Sequence, residues 1–246
     1  MRSPARAFMP AVFALLCPMA LSAQDTPPTP AWTGSMGGGL AVTSGNSDTS
    51  SINLSFKAVR DPKTHIVLSA EGMYIRGSNS GDLNADNTTL GARVQRSLSK
   101  RSYAFAQVQY LRDSFKAIDY FVAPTLGLGY KLVDTDRAQL SSDMSVGPSW
   151  EKNPDQHVRT HLAISVGEKA SYQLSKSATL TQGFAVTLVG NDWTDGLYTI
   201  SAGVTASLTN RTQLKVEVVD IYKNKPPTLD IDKNDISTLV SVLFRF

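Results

Sequence analysis

The sequence is almost free of cysteine. Cys17, the only one, lies in an N-terminal stretch with Arg2 and Arg6, an apolar run and two small residues at its end. This pattern predicts a secretory signal peptide over residues 1–23, cleaved near Ala23. The exported chain would then carry no cysteine, which excludes disulfides and thiol chemistry.

The sequence also lacks an excess of either charge. It has 24 Lys and Arg against 21 Asp and Glu, and removing Arg2 and Arg6 with the leader leaves 22 basic residues and a net charge of +1. No basic face for nucleic acid is therefore predicted. Residues 24–31, QDTPPTPA, are typical of a Pro-rich linker. No later break in composition divides the chain, so 32–246 is expected to be one domain.

Helical patterns are missing as well. After the leader no apolar run reaches the ~20 residues of a transmembrane helix, and apolar residues recur at every second position. Twelve segments of about 11 to 16 residues show this alternation, whereas ordinary globular strands average about 5–6. The predicted strands are Thr33–Ser44, Thr49–Arg60, Thr64–Arg76, Asn87–Leu98, Ser102–Phe115, Asp119–Leu132, Arg137–Glu151, Arg159–Leu174, Ala178–Val189, Gly196–Leu208, Thr212–Lys223 and Asn234–Phe246.

The connections between these strands alternate in length. Every second one is short, and longer ones lie between them, such as Gly77–Asp86, Lys152–Val158, Gly190–Asp195 and Asn224–Lys233. Tight turns at one end and long loops at the other are typical of bacterial outer-membrane barrels. The sequence therefore predicts an all-β fold, a closed antiparallel transmembrane β-barrel of about 12 strands in an up-and-down meander. Both ends of the barrel domain are expected on the periplasmic side.

The two faces of the strands differ in a way that favours a barrel over a soluble sandwich. One face is continuously apolar and the other is rich in Gly, Ser and Thr rather than Lys and Glu. Tyr120 and Tyr130 are ten residues apart on the apolar face, which projects to roughly 25 Å, the height of the apolar band. The predicted aromatic girdle comprises Tyr74, Tyr120, Tyr130, Trp150, Tyr172, Tyr198, Tyr222 and Phe244.

Charges of both signs fall on the polar face, which is expected to line the lumen. They are Lys57, Glu71, Arg93, Lys131, Asp143, Lys169, Lys215, Glu217 and Arg245. Eight strands make a barrel that side chains fill, and sixteen leave a channel. Twelve lies between these cases. The charges therefore either pair and plug the interior or line a narrow aqueous path.

Two places conflict with this assignment of faces. Glu168 falls on the lipid-facing parity of the eighth strand, where a charge is costly. A β-bulge before it would turn its side chain inward. In the fifth strand both parities carry aromatic residues, Tyr103 and Phe105 on one and Tyr110 on the other, so its faces stay unassigned.

The closing strand and two motifs resemble a known family. The final strand, STLVSVLFRF, must pair with the first because an open sheet edge cannot exist in lipid. With this aromatic terminus, WTGSMGGGLAVTSGNSDTSS (Trp32–Ser51) and YKNKPP (Tyr222–Pro227) resemble the salt-induced outer-membrane protein family of Gram-negative bacteria, a domain of unknown function. The resemblance spans nearly all of Trp32–Phe246. It implies the barrel fold, outer-membrane location and use of Phe246 as the signal read by the barrel-assembly machinery, but no reaction or ligand.

No residue pattern predicts catalysis, a cofactor or a metal. The histidines are His65, His157 and His161, and neither H-x-S-N-G nor G-x-S-x-G occurs. The acidic stretches DLNADN and DIDKND lack the Gly and Glu that an EF-hand needs at its sixth and twelfth positions. The glycine run Gly37–Gly39 precedes no GK[ST] motif and no helix, so it is expected to give strand flexibility or close packing where the barrel closes.

The leading hypothesis is a porin-like or envelope-stress barrel that passes small solutes through a narrow polar lumen. The alternatives are a structural or adhesive barrel that acts through its loops, and a lipid hydrolase that depends on His157 or His161. The expected partners are outer-membrane lipid, lipopolysaccharide and the barrel-assembly machinery. The oligomeric state and the solute stay open.

Overall fold

The structure is a computed structural model that describes residues 32–44, 49–62, 65–79, 82–189, 192–226 and 232–246. Its strands are β1 Thr33–Ser44, β2 Thr49–Arg60, β3 Ile66–Asn79, β4 Asp82–Ser97, β5 Ser102–Asp113, β6 Ile118–Asp134, β7 Ala138–Lys152, β8 Arg159–Gln173, β9 Ala178–Val189, β10 Asp192–Ser207, β11 Thr212–Lys223 and β12 Asn234–Arg245. Nothing in the described ranges is a helix long and apolar enough to cross a membrane. The predicted signal peptide and the predicted linker both lie outside these residues.

The strands close into a barrel in which each pairs antiparallel with its chain neighbours and β12 pairs with β1. This confirms the predicted closed 12-strand meander. The seam runs from Ser35 opposite Arg245 to Ser44 opposite Ile236. It is extended by two hydrogen bonds, because the Gly34 N–H donates to the Phe246 oxygen at 3.0 Å and the Phe246 N–H donates to the Gly34 oxygen at 3.1 Å. The last residue thus takes part in closure.

One end of the barrel, here called the terminal end, carries Thr33, Arg245 and the short turns 98–101, 135–137, 174–177 and 208–211. Hydroxyl side chains accept backbone hydrogen bonds in all four of these turns, and in 174–177 the Ser177 N–H donates to Ser175 Oγ at 3.2 Å. Ser99 Oγ accepts from the Ser102 N–H, Thr135 Oγ1 from the Ala138 N–H and Thr209 Oγ1 from the Thr212 N–H, each at 3.0 Å. Such side-chain bonds replace the ladder bonds that the turn lacks.

At the opposite end, here called the loop end, two predicted loops are largely strand. The predicted loop Gly77–Asp86 is wrong, since β3 continues to Asn79 and β4 begins at Asp82, with a register shift after Gly77. The predicted loop Gly190–Asp195 is likewise shortened, because β10 begins at Asp192 and shifts register before Gly196. Gly, Asn and Asp suggested turns there, but pairing with the neighbouring strand overrides local propensity.

The outward face carries the apolar and aromatic side chains. Leu40, Leu54, Leu126 and Met144 are at least half exposed on it. The cross-strand register places all eight predicted girdle residues on this face, and Tyr198 stacks at a tilt on Tyr222 with ring centroids 5.7 Å apart. An exposed apolar belt on a closed barrel fits contact with lipid tails.

The structure assigns the faces of β5. Tyr103, Phe105 and Leu111 point inward and are buried, whereas Tyr110 points outward. Space for the two inward rings comes from glycines directly across the ladder, Gly129 beside Tyr103 and Gly127 beside Phe105. The sequence signal was therefore the spacing of glycines on the next strand.

The proposed β-bulge before Glu168 is wrong. The register runs unbroken, with Ser142 opposite Glu168 and Phe184 opposite it on the other side, so the carboxylate faces outward. No donor in the described part of the chain hydrogen-bonds to it.

Replacing Glu168 with leucine should stabilise the barrel in lipid vesicles by about 1 kcal/mol, because a carboxylate on the lipid face is costly. The urea midpoint of unfolding measures this. Glu71→Leu, which faces the lumen, is the matched control and should give no gain. A Glu168→Leu midpoint at or below that of the wild type would contradict the assignment of its face.

Candidate functional site: the lumen

All nine charges predicted for the lumen lie on the inward parity of their strands. Their positions follow from the register, in which inward residues pair with inward residues around the barrel. They lie mostly in the half of the lumen nearer the terminal end. The structure brings some of them into direct contact and leaves others apart.

Arg93 is the centre of the largest contact among them. Its Nη2 lies 2.9 Å from Asp143 Oδ2 and its Nη1 donates to Gln107 Oε1 at 3.2 Å. The guanidinium carbon lies 3.5 Å from the centroid of the Phe105 ring, and the Tyr103 hydroxyl donates to Asp143 at 3.4 Å. A planar cation stacked on an aromatic face and bonded to a carboxylate is held in one place. This cluster narrows the lumen from one wall.

The other lumen charges of this half are more open. Lys215 pairs with Glu217 at 2.7 Å, and Lys131 pairs with Asp134 at 2.8 Å. Lys57, Glu71, Lys169 and Arg245 are exposed although they point into the barrel. An exposed charge on the inward face requires water inside, because an ion in a dry interior costs several kcal/mol. The terminal half of the lumen is therefore an aqueous vestibule.

An ion pair crosses the lumen at the loop end. Lys116 lies in the turn 114–117 between β5 and β6, and its Nζ is 2.8 Å from Oδ2 of Asp235 on β12. These elements are about half the circumference apart in the closed sheet. The Lys116 side chain is only 2% exposed, and the contact is an ion pair rather than an aligned hydrogen bond. The turn therefore extends across the opening of the lumen at the loop end, here called the mouth.

Local hydrogen bonds shape this turn. Asp113 Oδ1 accepts from the N–H groups of Phe115 and Lys116 at 3.0 and 3.1 Å, and Asn87 donates to Oδ2 at 2.9 Å. Ala117 takes a positive φ of 51° to complete the reversal. An aspartate that bonds to the backbone two and three residues on is a standard turn device. Asp113 thereby aims Lys116 into the lumen.

A second ion-pair network spans the same level. Glu151 on β7 accepts from Arg159 at 2.8 Å and from Lys223 on β11 at 3.1 Å, and Lys223 lies 3.8 Å from Asp195. Glu151 and Lys223 are both buried. Since β7 and β11 are four strands apart, this contact also crosses the lumen.

Apolar side chains fill much of the remaining space at this level. One cluster joins the nearby strands β11, β12, β1 and β3 through Ala41, Ile75, Val219 and Leu239, and another joins Leu111, Ile118, Phe121 and Ala123 of β5 and β6 to Leu197 of β10. A cavity of about 40 Å³ lies against the first cluster, beside Ile75 and Val219, and one of about 10 Å³ lies against the second, beside Leu111 and Phe121. Such volumes hold a few waters at most. The loop half is thus packed while the terminal half is wet.

The sequence interpretation missed the residues whose ion pairs cross the lumen at the loop end: Lys116, Glu151, Lys223 and Asp235. Parity alone points Glu151, Lys223 and Asp235 inward, so the alternation contained a signal for those three. Lys116 sits in a turn, where parity has no meaning, and its partner is 119 positions away. Only the three-dimensional register brings that pair together.

The histidines do not form a nucleophilic site with a described serine. Ser149 lies directly opposite His161 on the inward face, but its hydroxyl donates to the His161 backbone oxygen at 3.4 Å. A nucleophile would instead bond to an imidazole nitrogen. Within the described ranges no three His, Cys, Asp or Glu side chains are grouped as metal ligands.

Comparison with solved structures shows barrels of the outer-membrane type. The NanC porin matches with a TM-score of 0.58 at 11% identity, covering 88% of this chain and 100% of that one. An outer membrane channel from Pseudomonas putida F1 gives 0.54 at 13% identity, with coverages of 92% and 100%. The translocator domain of autotransporter NalP from Neisseria meningitidis gives 0.52 at 12% identity, with coverages of 87% and 88%. At these identities the likeness shows the fold alone.

Sequence comparison gives the family. No curated protein matches this chain. The model of a family described as protein of unknown function, DUF481, matches residues 37–246, which run from the glycine-rich part of β1 through the closing strand to the last residue. The chain therefore belongs to the DUF481 family.

Proposed function

We propose that this protein is an outer-membrane channel for small solutes, with an aqueous vestibule on the periplasmic side and a mouth that is closed in this conformation. The observation that carries the proposal is the change in exposure of inward charges along the barrel. Lys57, Lys169 and Arg245 are exposed inside the terminal half, whereas Lys116 and Glu151 are buried at the loop end. A water-filled vestibule that ends at a set of ion pairs is the arrangement expected of a gated channel.

A structural or adhesive barrel is the second candidate. The apolar clusters around Leu239 and Phe121 favour it, because they pack the loop half with side chains rather than water. Under this alternative the ion pairs at the mouth only stabilise the barrel. The two candidates differ in whether the mouth ever opens.

Conductance of the purified, refolded chain in planar lipid bilayers separates the candidates. The channel proposal predicts discrete openings that are brief in the wild type, because the closed mouth must rearrange each time. A Lys116→Met variant, which removes the ammonium across the mouth, should open more often. Intact folding with silence in both proteins would overturn the channel and favour the structural barrel.

The remaining features of the proposal concern location and biology. An outer-membrane address fits the outward apolar belt, and export fits the leader pattern of residues 1–23. Membrane fractionation and N-terminal sequencing of the exported protein test these points.

The resemblance to salt-induced proteins suggests a role in envelope stress, which predicts more protein at raised salt. Lipopolysaccharide and the assembly machinery are the proposed partners, and loss of Phe246 should slow assembly in cells.

We also propose that the protein is not an enzyme. The geometry of Ser149 and His161 supports this, since the hydroxyl bonds to the backbone rather than to the imidazole. Release of fatty acid from phospholipid by the folded barrel, lost on changing His157 or His161, would contradict it.

A further inference from the structure

Two inward rows at the terminal end share an arrangement of basic, serine and basic side chains. On the first wall, Ser35 of β1 lies opposite Lys57 of β2 on one side and Arg245 of β12 on the other. Ser35 is two residues from the start of its strand. This row therefore lies just inside the terminal opening.

The second row faces the first. Ser141 of β7 lies opposite Lys131 of β6 on one side and Lys169 of β8 on the other, three residues from the start of β7. In the closed sheet β1 and β7 are six strands apart, which is half the circumference. Both strands start at the terminal end, so the two rows stand at a similar level on opposite walls. We call these six residues the basic ring.

The ring is not neutralised by the acidic residues around it. The ion pairs of this half engage Arg93, Lys131 and Lys215. Among the described residues no ion pair engages Lys57, Lys169 or Arg245, and all three are exposed to the lumen. Among the described strand residues that point inward in this half, six are basic and, with Asp134, four are acidic. The vestibule therefore carries a net positive charge.

We infer that the basic ring makes the channel selective for small anions, with carboxylate- or phosphate-bearing solutes as the chemical class that it binds. This inference rests on the proposed channel function. Ammonium, guanidinium and hydroxyl groups all donate hydrogen bonds to oxyanions, and bonds between ionised partners are the stronger ones. Charges of one sign in a cleft with low-dielectric walls concentrate counter-ions by roughly tenfold or more.

The loop-end charges oppose this selectivity little. Lys116, Lys223 and Arg159 form ion pairs with Asp235, Glu151 and Asp195, so the fields of these three cations and three carboxylates largely cancel. In the basic ring, by contrast, Lys57, Lys169 and Arg245 are exposed to water, and no ion pair among the described residues involves them. Screening limits the reach of exposed charges to about 10 Å at 0.1 M salt, so selectivity should be strongest in dilute salt.

The reversal potential of single channels under a KCl gradient tests the inference. The wild type, or Lys116→Met if openings of the wild type are too rare, should pass chloride several-fold better than potassium. The double variant Lys57→Glu, Lys169→Glu reverses two charges of the ring and should invert this preference. The control is Lys100→Glu, Lys176→Glu, which makes the same charge change in turns at the same end, outside the inward rows.

The outcomes separate two failures. Channels that prefer potassium, or a control that shifts the reversal potential as much as the ring variant does, would overturn anion selection by the ring while leaving the channel in place. Silence of both the wild type and Lys116→Met would overturn the channel and, with it, the inference. Inversion by the ring variant alone supports both.

Discussion

Replacing Gly39 with alanine is expected to destabilise the closed barrel by about 3 kcal/mol and to lower the yield of folded barrel on refolding. Gly39 points inward on β1 at the seam, and an added Cβ would overlap the carbonyl oxygen of Val240 and lie 2.6 Å from the Ser241 Cα. Both contacts are with the backbone of β12, so only a shift of the seam can relieve them. Overpacking costs up to about 3 kcal/mol when side chains can yield, and a rigid backbone should place this change at that upper end.

Gly38 supplies a control within the same glycine run. It points outward, and its added Cβ would lie 3.1 Å from Cδ2 of Leu54 and 3.2 Å from the Asn53 oxygen. The Leu54 end can move, so Gly38→Ala should change stability little. Gly37→Ala should resemble Gly39→Ala, because its Cβ would overlap the Val242 oxygen.

Two measurements check this prediction. The first is the fraction of the refolded protein that migrates as a folded barrel in gel electrophoresis without heating. The second is the urea midpoint for unfolding of that fraction. The comparison also decides between the two roles predicted for the glycine run. If close packing at the seam is the role, only the inward glycines are sensitive. Equal loss in Gly38→Ala would show that strand flexibility matters instead.

The sequence was sufficient to predict the barrel because its main signal is local. A strand that faces lipid on one side and water on the other must alternate at every second residue, and the pattern around Tyr120 and Tyr130 does so. The bounds of β1, β2, β9 and β11 match the prediction for the same reason. Closure also follows, because an unpaired edge cannot exist in lipid.

The state of the lumen was not predictable because it depends on non-local contacts. Alternation shows that Arg93 and Asp143 point inward, but not that they meet, since 50 residues separate them. The stacking of Arg93 on Phe105 required the faces of β5, which only the glycines of β6 reveal. Whether Glu168 turned inward likewise depended on the register with β7 and β9 rather than on its own strand.

The ion pair across the mouth makes the strongest functional prediction. Lys116→Met should raise the open fraction of single channels several-fold, because it keeps the length of the side chain but removes the charge that holds the turn to β12. Breaking a buried pair by removing one partner costs about 3–5 kcal/mol. Because Asp235 is 12% exposed and has further contacts, the lower end of that range is expected for the free energy of unfolding.

Lys131→Met is the matched control for that variant. It removes an ion pair of the same 2.8 Å length, but one whose side chains are 38% and 40% exposed. Exposed pairs contribute about 0–1 kcal/mol, so stability and open fraction should stay near those of the wild type. A similar rise in open fraction in both variants would mean that lumen charge in general, rather than the mouth, limits conduction.

Exchange of the two charges gives the sharpest form of the test. The double variant Lys116→Asp, Asp235→Lys restores an ion pair between the turn and β12, so it should close the mouth again relative to Lys116→Asp alone, which places two carboxylates together. Because like charges in a buried site repel, the single variant should be the most open of the set. Recovery in the double variant can arise only if the two side chains meet across the lumen. Without recovery, the turn is not held by this pair, and closure depends on the apolar clusters below it.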